Sequence, residues 1–368
     1  MEEKSIKDKI KEFLDDKFYV GPKGIIGIDF GISAIKLCEV SKTSDGYKVN
    51  KYVSVDMPEG TIIEDEIHKE DELLRTLQHG IKELNTSNKW VCLGLSGPNT
   101  VIKKLQLPGG TPEEIEDSVF WEIEQYLPFP IDEANVSFSV VGENQGGGVD
   151  VVIGAARKSL VQSFKDIVEK SGLKVKIADL GVTAVMNVFQ LAAEETVFTK
   201  GATWILMDIG AQKTEIVIYK SGIIAFSKEI SMGGLTITEE IQRQMGVNFQ
   251  EAESLKIHGD GNGNIPEEIV SIINQVLDSF FADLKKTMDF WTSTSSEEMF
   301  DGCYVTGGSS QIPGLIEALQ EVIGTEIHIL NPFNKFTYNQ NNISEDDISG
   351  IVYKGVCAIG LAMREVKQ

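Results

Sequence analysis

A chain of 368 residues with 42% hydrophobic side chains can bury a sizeable core and is longer than one ordinary domain, so two lobes or more are expected. A formal net charge of −22 and a pI near 4.6 repel a phosphate backbone and an anionic lipid surface, which argues against nucleic acid as a partner. The charged first residues, Met1 to Lys17, exclude a secretory signal peptide, and Asp29 and Asp208 interrupt the most apolar strands, so no membrane span is expected.

Residues 5 to 18 place Ile6, Ile10, Phe13, Leu14 and Phe18 at helical spacing, which predicts an amphipathic arm over 1–20. Gly24 to Val40 then reads as a β-hairpin whose apolar arms flank a turn at Asp29 to Ser33. Residues 90 to 178 read as a small inserted α+β unit. Its strands are expected at Trp90–Leu95, Val149–Ala155 and Leu173–Ile177, and its helices from Thr111 and over Ser159–Ser171. Thr111, Pro112 and Glu114 form a helix start with a capping box, and Ile115, Val119, Ile123, Tyr126 and Leu127 make one apolar face.

After residue 200 the hairpin pattern returns as Thr203–Met207, Asp208, Ile209, Gly210 and Thr214–Tyr219. Aligning Asp29 with Asp208 also aligns Gly31 with Gly210, and duplication of one fold explains the repeat. Residues 235 to about 300 read as a helical subdomain, Cys303–Thr306 as a strand leading through Gly307 and Gly308 into a helix, and Gly350–Val366 as one final helix. The four cysteines are far apart in apolar segments and match neither a metal spacing nor a disulfide framework. The four histidines are scattered and suggest no metal site.

An Asp-x-Gly hairpin turn can point backbone N–H groups at phosphate oxygens, and its Asp can order Mg²⁺ through water. One such turn is common, but two in the same strand context can face each other across a cleft lined by Gly31, Ser33, Gly210 and Thr214. Lys36 can reach a bound phosphate only if its strand face is not the core. Thr306 to Ser310 form a second place for close backbone approach, and Gly233 and Gly234 precede another helix. Glu253 and Lys256, three apart on a helix, read alone as an ordinary surface ion pair.

The order of hairpin, inserted unit, second hairpin, Gly-Gly helix, Ala252-Glu253-x-x-Lys256 and strand-Gly-Gly-helix resembles the actin-like ATPase superfamily. Glu122 to Glu133, Ala155 to Lys158, Asp208 to Ala211, Gly307 to Leu315 and Asn331 to Phe333 narrow the likeness to its PilM branch of type IV pilus assembly proteins, relatives of FtsA. The resemblance implies a duplicated, ribonuclease H-like α/β fold. Its first lobe would span 21–89 and 179–200, a 1C-type subdomain 90–178, and the second lobe 201–368. It implies ATP and Mg as cofactors. The phosphate-binding residues are then Asp29, Gly31, Ser33, Lys36, Asp208, Gly210 and Thr214, with Gly233 and Gly234 beside them. Gly307, Gly308 and Ser309 form the adenosine motif, Glu253 and Lys256 lie near ribose and base, and Asp29 and Asp208 serve the metal through water.

The same resemblance implies a scaffold on the cytoplasmic side of a pilus machine, holding the tail of a PilN-like inner-membrane protein and other assembly components. FtsA-like proteins carry a C-terminal membrane helix beyond a linker, and none is expected here, so localisation at the membrane would depend on partners. A small-molecule kinase would also need a carboxylate base near the γ-phosphate. A filament former would share every nucleotide residue. Slow turnover or none is expected, with Gln212 as the counter-candidate for orienting water.

Overall fold

The structure is a computed structural model that describes residues 24–365 apart from 45, 145, 260–263 and 296–298. The expected arm over 1–20 lies outside the described residues. The chain opens with β1 (Ile26–Phe30), β2 (Ala34–Thr43), β3 (Gly46–Asp56), a short hairpin of β4 (Ile62–Ile63) and β5 (Glu66–Ile67), and α1 (Glu70–Leu84). Next come β6 (Trp90–Leu95), β7 (Thr100–Leu107), α2 (Pro112–Ile123), β8 (Ala134–Glu143), β9 (Val149–Arg157), α3 (Lys158–Lys170), β10 (Lys174–Leu180) and α4 (Gly181–Ala192). The second half holds β11 (Thr203–Ile209), β12 (Thr214–Lys220), β13 (Ile223–Ile230), α5 (Gly234–Met245), α6 (Phe249–His258) and α7 (Glu267–Ser295). It ends with β14 (Gly302–Thr306), α8 (Leu315–Ile323), β15 (Ile327–Ile329), β16 (Thr337–Tyr338), α9 (Glu345–Lys354) and α10 (Val356–Ala362).

The repeat read from two turns extends to two whole sheets. The first runs β10-β6-β1-β2-β3-β16 and the second β15-β14-β11-β12-β13, each an antiparallel three-strand meander extended beside its first strand by two parallel strands, with β16 added at the other edge of the first. Ile26, Ile28, Ile205 and Met207 are fully buried, as expected for central strands covered on both faces.

Two helices lie between the sheets. From the first half, α4 sends Phe189 against Tyr219 and Tyr304 at ring-centroid distances of 4.8 and 5.4 Å, and the Glu194 amide donates to the Tyr304 hydroxyl. From the second half, α10 packs on β1, where a side chain at Gly27 would overlap the Ala358 carbonyl. The two helices touch at Gly360, where a Cβ would overlap the Ala184 carbonyl. Each half therefore sends a helix into the shared core, while α5 to α8 cover the far side of the second sheet around Ile237, Ile273, Phe280 and Leu319.

Several expectations change. Trp90–Leu95 pairs with β1, and Lys174–Leu180 pairs with Trp90–Leu95, so both belong to the first sheet rather than the inserted unit. That unit has its own three-stranded sheet, β7-β9-β8, with α2 packed on Leu107, Val151 and Ile153. Neither β7 nor β8 was expected. Lys103 and Lys104 break the apolar run of β7, and β8 alternates only weakly around Val136 and Phe138. The capping box of α2 forms between Thr111 and Glu114 as read, but Tyr126 leaves the apolar face and stands exposed beneath Lys103.

The last segment does not stay with the second lobe, because β16 pairs with β3 and α10 covers β1. The single final helix expected at 350–366 is two helices, and α9 begins earlier, at a capping box between Ser344 and Asp347. They divide at Gly355, where Ile351 and Tyr52 leave no room for a side chain. Cys38, Cys92 and Cys303 are buried thiols and Cys357 is partly buried, with no disulfide among them.

Candidate functional site

Both turns close in the same way. The Gly31 amide donates to the Ala34 carbonyl at 3.1 Å, and the Gly210 amide donates to the Lys213 carbonyl at 2.9 Å. Among the described residues the amides of Ile32, Ser33, Ala211 and Gln212 have no backbone acceptor, so each turn presents consecutive donors suited to an anion.

Side chains distinguish the two turns. Lys36 stands opposite Asp29 in the strand register and its Nζ lies 3.1 Å from Asp29 Oδ2, with 14% and 21% of the two side chains exposed. The same face carries Ala34 and Cys38, both buried, so Lys36 is nearly enclosed beside Asp29. Absence of a side chain at Gly31 makes the room, since a Cβ there would stand 2.6 Å from Nζ. Burial disfavours the Lys36 charge, but the charge and hydrogen bond of Asp29, chiefly, offset this and hold its pKa above the ordinary lysine value.

Opposite Asp208 stands Glu215, and among the described residues Asp208 makes no ion pair. Burial and then the charge of Asp29 push its carboxyl up to about 6, against the pull of Lys36 and Lys213. The charge of Asp29 in the first turn thus reaches Asp208 in the second.

The Gly-Gly segments pack against the second turn. Gly307 has φ +94°, and a Cβ there would overlap the Ile209 carbonyl and the Asp208 carboxylate, so only glycine fits. At Gly308 the Lys354 side chain lies 3.5 Å from where a Cβ would be. Ser309 donates its hydroxyl to the Gly210 carbonyl at 2.7 Å and accepts from the Gly234 amide at 3.0 Å. The Leu235 amide donates to Ala211 at 2.7 Å, and Gly233 faces the Gly210 and Ala211 carbonyls at a distance no side chain allows. Gly210, Gly234 and Ser309 are therefore joined by hydrogen bonds, with Gly233, Gly307 and Asp208 packed closely around them.

Thr214, expected to line the cleft, is fully buried and donates its hydroxyl to the Met232 carbonyl at 2.9 Å, because the pleat of β12 turns it inward. Glu253 and Lys256 are not a surface pair. Lys256 is buried, with Nζ on the Gly234 carbonyl at 3.1 Å, the Thr238 hydroxyl at 2.8 Å and Glu253 at 2.7 Å. Burial lowers its pKa, and Glu253 opposes the shift. Its ammonium braces the start of α5, while Glu253 stays about one-third exposed.

Two charged residues escaped the sequence reading. Lys213, inside the second turn, lies 2.7 Å from Glu229, 3.3 Å from Glu215 and 4.0 Å from Asp65. Its place between Gly210 and Thr214 was a usable signal, whereas Asp65 in the β4-β5 hairpin gave none.

Comparison with known proteins joins this geometry to a family. The family model described as type IV pilus assembly protein PilM matches residues 27–366. Among solved structures, the PilM-PilN type IV pilus biogenesis complex superposes with a TM-score of 0.82 at 25% identity, over 94% of this chain and all of that one. The ethanolamine utilization protein EutJ from Carboxydothermus hydrogenoformans shares the fold, with a TM-score of 0.53 at 15% identity over 97% of each chain. The cell division protein FtsA of Enterococcus hirae is 24% identical over 200 residues, which are 48% of this chain and 43% of that protein. FtsA of Enterococcus faecalis is 23% identical over 203 residues, so the aligned region spans under half of these curated relatives. With a family match over nearly its whole length and a two-lobed actin-like fold, the chain belongs to the type IV pilus assembly protein PilM family.

Proposed function

We propose that the protein binds Mg-ATP between its lobes and acts as a scaffold of a type IV pilus assembly machine, using the inserted subdomain and first lobe to hold the cytoplasmic tail of a PilN-like inner-membrane protein. The observation that carries the nucleotide reading is the pair of turns with free donor amides, one backed directly by the Gly307 to Ser309 loop. The site fits the cofactor on its own terms. The amides of Ile32, Ser33, Ala211 and Gln212 have no backbone acceptor among the described residues, and Asp208 is a lone carboxylate suited to a metal held mostly by phosphate and water. Bound Mg²⁺ would neutralise phosphate charge. Lys36 would add a cation at the first turn, and the turn amides would orient the phosphates.

Fast hydrolysis also needs a group that positions the attacking water and a cation that stabilises the transition state. Lys36 is paired to Asp29 and Lys213 to carboxylates, and Gln212, partly exposed, is the remaining candidate for water. ATP would therefore act chiefly as a ligand that sets lobe closure. For the partner reading, residues 105–156 include many carboxylates and no Lys or Arg, and Trp121 and Phe120 are 73% and 40% exposed on α2. Among the described residues no helix is long and apolar enough to cross a membrane, in keeping with attachment through a partner.

Calorimetry tests the nucleotide reading. Asp29→Ala and Gly308→Val should each weaken Mg-ATP at least about tenfold, the equivalent of ~1.4 kcal/mol, and unchanged affinity in both would remove the cleft assignment.

A further inference from the structure

Lys213 is the one basic side chain of the second turn, and it is held away from Asp208 by carboxylates on three elements. Glu215 and Glu229 come from β12 and β13 of the same lobe, while Asp65 comes from the tip of the β4-β5 hairpin in the first lobe. The ammonium thus bridges the lobes beside the cleft. Both bridging side chains are nearly enclosed, 14% exposed for Lys213 and 10% for Asp65. The hairpin tip is built to deliver this carboxylate, since Glu64 and Asp65 both take left-handed backbone, with φ +48° and +66°.

Asp65 also bears on the entry to the inserted subdomain. Ser96 stands beside its carboxyl, and at Gly97, φ +102°, any Cβ would overlap that carboxyl. The Gly97 carbonyl in turn accepts from the Thr100 amide at 2.9 Å and from its hydroxyl at 2.8 Å, which starts β7. The second lobe meets the same strand once more, as Ser227 of β13 donates to the Ile102 carbonyl at 3.1 Å. Asp65 Oδ2 is buried without a hydrogen-bond donor, so Lys213 supplies its nearest compensating charge.

We infer that Asp65 and Lys213 form a latch that pins the second phosphate turn to the hinge at Ser96–Gly97, so that a shift of the turn is passed to the inserted subdomain. The idea rests on the nucleotide reading only for what moves the turn. The latch itself is a property of the protein alone. A ligand that draws the turn toward itself would change the Lys213 to Asp65 distance, and β7 would follow through Gly97.

Amide hydrogen exchange on the full chain tests it with Asp65→Asn and Lys213→Arg. Asn tolerates left-handed backbone and has nearly the shape of Asp, so the first variant removes charge with little strain. Without nucleotide, Asp65→Asn should exchange roughly fivefold faster or more at residues 62–67 and 97–107, with α7 unchanged as the folding control, and Lys213→Arg should resemble wild type. Equal exchange of wild type and Asp65→Asn at 97–107 overturns the latch. On adding Mg²⁺ and a non-hydrolysable ATP analogue, wild type should slow at 208–214 and change at 97–107, while Asp65→Asn keeps the first response and loses the second. Retention of both in Asp65→Asn also overturns it. If wild type does not respond at 208–214, the nucleotide reading fails, and the nucleotide-free arm still decides the latch.

Discussion

The turn at Asp29–Ser33 and the turn at Asp208–Lys213 are copies in backbone and opposites in charge. Each closes through a glycine amide three residues back from its acceptor, between an antiparallel pair of strands in matching positions of two sheets. In the first, the residue facing the aspartate across the hairpin is Lys36, and the pair is satisfied. In the second that residue is Glu215, the aspartate is left without an ion pair, and the turn's own Lys213 is tied outward to Asp65, Glu215 and Glu229. Duplication preserves the hydrogen bonds that close each turn and pair its strands, whereas side-chain charge is free to diverge. On the proposed nucleotide reading the difference gives unequal roles: the first turn would be a neutralised anion cradle, and the second would offer an unpaired carboxylate whose charge burial opposes until a cation arrives.

The harshest break should come from behind the second turn. Gly307→Ala would place a Cβ on the Ile209 carbonyl and the Asp208 carboxylate at a positive φ, so a loss of about 2–4 kcal/mol of stability is expected in chemical denaturation. Loss of less than ~1 kcal/mol would mean that the loop moves freely from Asp208.

Neutralising each aspartate sharpens the contrast, because the signs should differ. Asp29→Asn strands the Lys36 ammonium and should cost on the order of 1 kcal/mol. Asp208→Asn removes a carboxylate whose charged form is disfavoured by burial and by Asp29, and should stabilise the nucleotide-free protein at pH 7 by up to about 1 kcal/mol. Both should weaken Mg-ATP. Melting temperatures that fall equally in both variants would erase the distinction between the turns.

The smallest effect is in pH dependence. Burial pushes Asp65 and Asp208 up to about 6 from an ordinary 3.8, with Glu229 adding to the first and Asp29 to the second. Glu215 is also raised, by burial and then by Glu229, against the pull of Lys213. A carboxyl whose folded pKa is raised contributes stability that is present below the unfolded value and is lost as pH rises through the folded one. The contribution of these groups should therefore decline between about pH 4 and 7, more steeply in wild type than in Asp208→Asn. Titration of melting temperature checks this, and parallel curves for the two proteins would contradict it.

What the sequence determined by itself is local or periodic. The two Asp-x-Gly turns and their strands, the capping box at Thr111 and the Gly-Gly loop before α8 follow from hydrogen-bonding needs and backbone freedom within a few residues, and the repeat makes the duplication legible. Alternation also made Lys36 a conditional candidate, but whether its face was cleft or core depended on what packs against β2. Tertiary structure alone decided that Thr214 turns inward, that Lys256 is a buried brace, and that Asp65 reaches Lys213 across the lobes. It also decided that Trp90–Leu95 and the final helix belong with the first sheet. These outcomes depend on which surfaces meet once separate segments of the chain have packed together. Burial and charge at such contacts are set by the partner surface, and neither periodicity nor a motif encodes that partner.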